Sequence, residues 1–532
     1  MNPQIPETPN KRRINVGSAA VLLIVISLFS QALGFLRVTL INGKFPAVGP
    51  NSTDAYFAAF SIPDFFFFTI AAGALGVAFM PVLSDHLHKN DRKGVWELST
   101  SLLNLLAILM AIVGVIMFVF AKQLIDHIVA PNLSPEQLNH AANIMRIISF
   151  NPLLFTISGI LTSVQQTMGR FFFFAIAPLF YNLSIILSIY IFENNIGLVG
   201  LGIGAAFGAI LQLAIVFAGN FRLNFRYRPS INWHNPDFRL VLRNLPARSI
   251  DQGMDQMSNI VETHIASSIG RGAISYYANA FTLSTAPILL IGTAISTAAF
   301  PRLNQRLSQG RPDLFRKDFL QILRVMVWIS APLVIVCFFA RGYLARLIFF
   351  NANNQIAEIF GFLTVAIFFR IIYSLVSRWF YAQKDTKTPL YVSIFAIALN
   401  VFLAYRLSRP DSYGLNGLAI AQSVVAAVEV FLLWSVMLTR DRKLLDKTFI
   451  SGLWRILSVS GFSVITGGLA VSFYPLTVSD GAITLVLKLA LITAVTFGTH
   501  ILLSSLFGLE EVQPFFKRLR RLAFNPLKIN MQ

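Results

Sequence analysis

The stretches GLVGLGIG, Gly197–Gly204, and GLNGLAIA, Gly414–Ala421, each open an apolar run of helical length, and their likeness decides how the chain is organised. They lie roughly 220 residues apart, a self-similarity that signals a duplicated architecture. The same offset sets AYFAAF, Ala55–Phe60, against SYYANA, Ser275–Ala280. It also sets Pro81-Val82-Leu83 against Pro301-Arg302-Leu303, and Asn182 against Asn400. Each copy holds about six apolar segments long enough to span a bilayer. An even number returns the chain to the side it started from, so both copies cross in the same sense, as parallel repeats do.

Composition says that the segments are membrane spans. Of 532 residues, 55% are hydrophobic and 13% charged, and mean hydropathy is +0.66, far outside the range of soluble globular chains. Windows of about 20 apolar residues predict helices near 15–41, 54–84, 95–121, 140–168, 171–193, 197–220, 238–269 and 272–304. Six more are predicted near 317–340, 355–382, 387–407, 414–439, 451–474 and 482–507. The expected fold is therefore an all-α integral membrane protein of about 14 transmembrane helices. Its parts are a cytoplasmic tail (1–14), an N-lobe of helices 1–6 (15–225), a C-lobe of helices 7–12 (237–440), an appended helix pair (451–507) and a basic cytoplasmic tail (508–532). The KRR at 11–13 ahead of AAVLLIVISLF resembles a signal peptide, yet the many similar segments that follow make it the first span.

The formal charge of +19 would suggest a nucleic-acid partner in a soluble chain. Topology accounts for it instead. With a cytoplasmic N-terminus, roughly 28 Lys and Arg fall inside and about 7 outside, which by the positive-inside rule puts both termini in the cytoplasm. No nucleic-acid partner is expected. The single cysteine, Cys337, excludes an intrachain disulfide. No P-loop, zinc-protease, nucleophile-elbow or dinucleotide motif is present, so a transporter is expected rather than an enzyme, with no metal and no cofactor. An integral-membrane glycosyltransferase would need a sizeable extracytoplasmic acidic loop; the longest connections, near 122–140 and 221–237, are too short to fold alone. His86 and His88 beside Asp85 read as solvated surface rather than a metal cluster.

Charges at membrane depth cost about 2.5 to 3.5 kcal/mol each, so each marks a cavity or a partner. The candidates are Arg37, Asp54, Asp64, Arg248, Asp251, Asp255, Glu262, Arg324, Arg370, Arg378 and Glu429. Arg324 and Arg378 read as snorkelling from helix ends. On the seventh helix Arg248, Asp251, Asp255, Asn259 and Glu262 recur at steps of three or four and share one inward face. Two readings stand for it: a structural Arg248–Asp251 ion pair, or a proton or Na⁺ site at Asp251, Asp255 or Glu262 that couples transport.

The segments SQALGFLRVTLI, TDAYFAAFSIPDFF, AFMPVLSDH and FYAQKDTKTP together resemble the MurJ (MviN) family of lipid II flippases, of the multidrug/oligosaccharidyl-lipid/polysaccharide exporter superfamily. The resemblance runs over nearly the whole chain and is most specific at Phe380–Pro389. It implies alternating access by two six-helix lobes in the bacterial cytoplasmic membrane. The implied cargo is an undecaprenyl-pyrophosphate-linked peptidoglycan precursor, moved from the inner to the outer leaflet, with membrane lipids and cell-wall synthesis proteins as partners. It also implies a cationic cavity, since guanidinium forks hold phosphate oxygens bidentately. In the family's first-helix pattern Ser30, Gly34 and Arg37 match, while Gln31 replaces an arginine. Phe67 and Ala280 replace two more, so three of four expected cavity arginines are absent, and Asn279 survives beside Ala280. The resemblance makes Arg37, Ser30 and Asn279 substrate-binding, with Arg248 and Arg370 expected to supply replacement charge. Asp54 and Gly34 are expected at the extracytoplasmic gate, and Asp251, Asp255 and Glu262 at the coupling site for Na⁺ or H⁺. The missing arginines leave room for another polyprenyl-linked or amphipathic cargo, or for a non-transporting scaffold in cell-wall synthesis.

Overall fold

The computed structural model describes residues 16–72, 79–223, 227–349 and 354–513. Side chains at 16–22, 24, 70–72, 222, 244, 246–252 and 254–255 lie outside the described set. The described residues form helices joined by short turns and loops, without strands. The first half holds α1 (Val16–Lys44), α2 (Thr53–Phe66), α3 (Met80–His88), α4 (Arg92–Leu124), α5 (Pro135–Ile148), α6 (Asn151–Thr167), α7 (Phe172–Phe192) and α8 (Val199–Asn220). The second half holds α9 (Pro236–Ile269), α10 (Ala273–Pro287), α11 (Ala294–Ser308), α12 (Pro312–Phe339), α13 (Arg341–Phe349), α14 (Asn354–Ala382), α15 (Lys387–Leu407) and α16 (Asn416–Arg440). The appended pair is α17 (Lys447–Phe473) and α18 (Ala482–Leu506).

Among the described residues twelve helical runs, some joining consecutive elements such as α5 with α6 and α10 with α11, are long and apolar enough to cross a membrane. Two expected spans, the second and the seventh, stand outside that set. Among the described residues the second runs only to Ala72, with α2, which carries Pro63, giving way to a π-helical segment at Phe67–Ala72. The seventh, α9, is a continuous 34-residue helix whose sequence holds the charged stripe, so its length is right while its polarity is not that of a lipid-facing span.

Backbone geometry repeats with the sequence. Gly197 and Gly414 both take left-handed φ, +62° and +53°, in the tight turns before α8 and α16. In each repeat the next glycine sits against the helix just completed: a Cβ on Gly200 would lie 2.2 Å from the Phe192 Cβ, and one on Gly417 would lie 2.3 Å from the Leu407 carbonyl. The G-L-x-G-L pattern is thus a hairpin device, one glycine for the turn and one for the close approach. The turns after α3 and α11 pair Asn90 with Gly310, and those after α6 and α14 pair Gly169 with Lys384, all at positive φ. The π segment of α2 has a counterpart at Ile288–Thr293 between α10 and α11.

The described chain forms two compact units. One comprises Met1–Lys44, Ile62–Ala121 and Ala142–Gly253; the other comprises Phe45–Ser61, Lys122–Ala141 and Met254–Gln532. In the first unit Phe79, Leu83, Leu98, Leu102, Leu106 and Phe238 form a fully shielded core. His86 is hydrogen-bonded on both ring nitrogens, to Asp91 at 2.9 Å and to Asp237 at 3.0 Å, tying α3 to α9. Gly94 donates its amide to Asp91, and this bond with that of His86 holds the Asp91 carboxyl below its usual range. Many large apolar side chains face outward, among them Leu187, Phe402 and Leu502, as expected where lipid is the solvent.

Candidate functional site

In the first unit Ser30, Gly34 and Arg37 fall at steps of four and three and share one face of α1. Beside Gly34 the space that a Cβ would fill is open. The Arg37 guanidinium carbon lies 5.9 Å from the Tyr181 ring centroid on α7, and its Nε is shielded from solvent with no hydrogen-bond partner. Asp64 is close enough for its charge to act on Arg37. An arginine with an unsatisfied N–H beside a carboxylate and an aromatic ring is a group held ready for an anion, because it has spare donors and a partner already near.

In the second unit Asp54 binds the start of α10. Oδ2 accepts from the Gly272 amide at 2.7 Å, and Oδ1 accepts from the Ser275 amide and hydroxyl at 2.7 Å each. Thr53 donates to the Ser275 hydroxyl at 2.7 Å, and Gln137 donates to Ser52 at 2.7 Å and to the Gly49 carbonyl at 3.0 Å. The first turn of a helix has unpaired amides and the positive end of its dipole, so a carboxylate from another segment caps it as a local side chain would. Gly272, at φ +84°, makes the turn that presents those amides. Asn279 is buried one helical turn beyond Ser275.

Glu262, on α9, is 2% exposed. Tyr277 on α10 donates to its Oε2 at 2.9 Å, while Asn400 on α15 and Gln422 on α16 donate to its Oε1 at 2.7 and 2.5 Å. All three donors are neutral. The Asn400 carbonyl oxygen in the same cluster is buried without a partner. A carboxylate and a spare amide oxygen make an acceptor-rich set suited to a proton or a small hard cation. Arg370, whose charge also acts on Glu262, is committed elsewhere: it donates to Glu429 at 3.1 Å, and Ser393 donates to the other Glu429 oxygen at 2.9 Å.

The structure thus brings Glu262 together with two residues that sequence reasoning left without a role, Tyr277 and Gln422, and with Asn400, noticed only as a repeat partner. Opposite sign was the one available signal for the Arg370–Glu429 pair. Ser30 and Arg37 lie in one unit and Asp54, Glu262, Asn279 and Arg370 in the other. The side chains of Arg248, Asp251 and Asp255 lie outside the described residues. Among the described residues no cluster of three or more His, Cys, Asp or Glu could hold a metal.

A family model described as lipid II flippase MurJ matches residues 49–493. A probable lipid II flippase MurJ from Borreliella burgdorferi is 23% identical over 434 residues, which is 80% of this chain and 84% of that protein. One from Rhizobium tropici is 25% identical over 499 residues, 86% of this chain and 90% of that protein. Among solved structures, a lipid II flippase MurJ in an inward closed conformation superposes with TM-score 0.76 at 20% identity, covering 92% of this chain and 98% of that one. An inward-facing multidrug resistance MATE family transporter superposes with TM-score 0.65 at 15% identity, covering 80% and 99%.

Proposed function

The chain belongs to the lipid II flippase MurJ family, and from that membership we infer that it carries lipid II from the inner to the outer leaflet of a bacterial cytoplasmic membrane. It is a transporter, not an enzyme. The observation that carries the reading is the family match over residues 49–493, which takes in both repeats from α2 onward.

We propose the following division of labour. Arg37, with its spare N–H groups, takes the pyrophosphate, and Asp64 serves as its counter-ion while the site is empty. Asp54 on the first turn of α10 is the extracytoplasmic latch: its three bonds hold that face shut and must break for release. Glu262 with Asn400 and Gln422 takes the coupling ion, Na⁺ or H⁺. Ser275 and Tyr277 support linkage between latch and ion site, since they stand two residues apart on the first turns of α10, one bound to Asp54 and the other to Glu262. A change at either carboxylate therefore acts on the same turn, a physical connection of the kind that coupling requires. Both termini lie in the cytoplasm in this reading.

A related cargo is the second reading, favoured by Gln31, Phe67 and Ala280 where the family has arginines. Complementation of a flippase-depleted strain tests both. The wild-type chain is expected to restore growth, and Arg37→Ala, inserted at the same level, to lower lipid II flux at least tenfold, as loss of a charge-assisted phosphate contact does. An inserted wild-type chain that fails to restore growth overturns the lipid II reading.

A further inference from the structure

Six arginines on α11, α12, α14 and α16 meet a carboxylate: Arg302 and Arg306 share Asp318, Arg316 meets Asp441, Arg324 meets Glu511, Arg370 meets Glu429, and Arg440 meets Asp385. Arg378 is the exception on these helices. It is half-buried on α14, four residues before the helix ends at Ala382, which is about 6 Å along the axis. Among the described residues its partners are neutral. Nη2 donates to the Thr297 hydroxyl at 3.0 Å, and the guanidinium carbon lies 5.2 Å from the Phe300 ring centroid.

Snorkelling explains a cation near a helix end, but not this posture. A snorkelling side chain extends toward water, whereas Arg378 is turned across to a second helix and held there by a hydroxyl and a ring on one face of α11. That arrangement fixes the plane of the fork and engages only one of its five N–H groups. Thr297 accepts through its oxygen and keeps its own O–H to donate. Two neighbouring groups thus present donors to one place, with the Tyr381 side chain near enough to act on the arginine. The same face of α14 carries Ile371 and Ser374, against which Gly292 of the π segment packs so closely that a Cβ would lie 3.0 Å from the Ser374 hydroxyl. The arginine therefore grips α11 just beyond the segment where the helical hydrogen-bond register slips.

We propose that Arg378 and Thr297 form a phosphate-binding site near the cytoplasmic end of α14, against the first turn of α11, taking the phosphate of a lipid headgroup at inner-leaflet depth. A guanidinium fork of fixed plane matches a phosphate bidentately, and the missing negative charge is the one the ligand brings. Two lipids carry that chemistry there, an anionic phospholipid and a polyprenyl pyrophosphate. Only the second source rests on the flippase reading.

Native mass spectrometry of the full chain in detergent can test the site with three probes: phosphatidylglycerol, farnesyl pyrophosphate and a phosphate-free glucosyl diacylglycerol. For Arg378→Ala, at least one phosphate-bearing probe is expected to bind about tenfold more weakly, with the glucolipid unchanged. Arg378→Lys should recover part of the loss, and Thr297→Val should show a smaller loss of the same probe, which guards against misfolding of the arginine variant. Loss of farnesyl pyrophosphate alone supports a cargo-loading contact, loss of phosphatidylglycerol alone supports a bilayer-lipid site, and loss of both supports a general phosphate site. Unchanged binding of both phosphate probes in variants that melt like the parent overturns the proposal, and so does an equal loss of the glucolipid. Because the phosphatidylglycerol arm is independent of cargo, failure of the flippase reading leaves the site standing.

Discussion

At the scale of single residues, the buried carboxylates show what a sequence can and cannot carry. That Asp54 and Glu262 are functional candidates was legible, because a charge placed in an apolar run is expensive. Their partners were not, since the atoms facing a carboxylate depend on which helices pack together. Glu262 draws its donors from α10, α15 and α16, which lie 15, 138 and 160 residues away along the chain. Arg370 illustrates the converse: its charge was visible, but the Glu429 carboxylate that occupies it comes from α16. The Glu262 cluster yields a sharp expectation. Glu262→Gln keeps the volume and one acceptor while removing the charge, and turns an amide toward groups that already donate, a mismatch worth about 1 to 3 kcal/mol. Transport by this variant, reconstituted in vesicles, should lose its dependence on Na⁺ or on a proton gradient while the protein remains folded. Retention of the wild-type ion dependence would remove Glu262 from the coupling site.

At the scale of elements, the most specific part of the family resemblance, Phe380–Pro389, proves to be a turn and a helix cap. Lys384 takes φ +62° where the first repeat has Gly169, and Asp385 then serves the start of α15. It accepts from the amides of Lys387 and Thr388 at 3.0 Å each, from the Thr388 hydroxyl at 2.6 Å and from Arg440 at 2.6 Å. Partial burial alone would raise this carboxyl; the Thr388 hydroxyl and amide and the Arg440 guanidinium outweigh it and hold the group at about 2, against an ordinary 3.8. The sign follows from linkage. A carboxyl depressed in the folded state stabilises fully above its unfolded value and ceases to do so as pH falls through its folded value. Asp385→Asn should therefore cost about 1 kcal/mol at pH 7, the usual worth of a cap, and melting curves of variant and parent should draw together only below about pH 4. A gap that stays constant down to pH 3 would mean that shape rather than charge makes the cap. The motif was readable as a pattern, while its capping role needed the backbone of both repeats.

At the scale of the molecule, the duplicated core was legible from two glycine-rich hairpins, while the attachment of α17 and α18 was not, because it rests on a small apolar cluster, Val336 and Ala340 with Ala470, Leu485 and Ile492, and on scattered polar atoms. Trp328 on α12 donates to Ser504 on α18 at 2.8 Å, Arg324 on α12 pairs with Glu511 just beyond α18, and Ser463 on α17 meets His500 on α18 at 3.1 Å. On the extracytoplasmic side, in the predicted topology, Arg346 on α13 donates to the carbonyls of Thr477 and Asp480 in the loop joining the pair. In a bilayer, apolar packing alone holds helices together weakly, since lipid is as apolar as leucine. Removing the pair should therefore cost mainly what these polar groups lose. A chain ending at Asp446 leaves Arg324 and the Trp328 N–H facing hydrocarbon and should be less stable by about 2 to 4 kcal/mol. Arg324→Met with Trp328→Phe should restore much of that loss in the shortened chain. The same two substitutions in the full-length chain should destabilise it, because they strand Glu511 and Ser504. Thermal melting of the four proteins in one detergent reads this reversal of sign directly. If the double substitution shifts both chains in the same direction, the polar anchors are not what fasten the pair to the core.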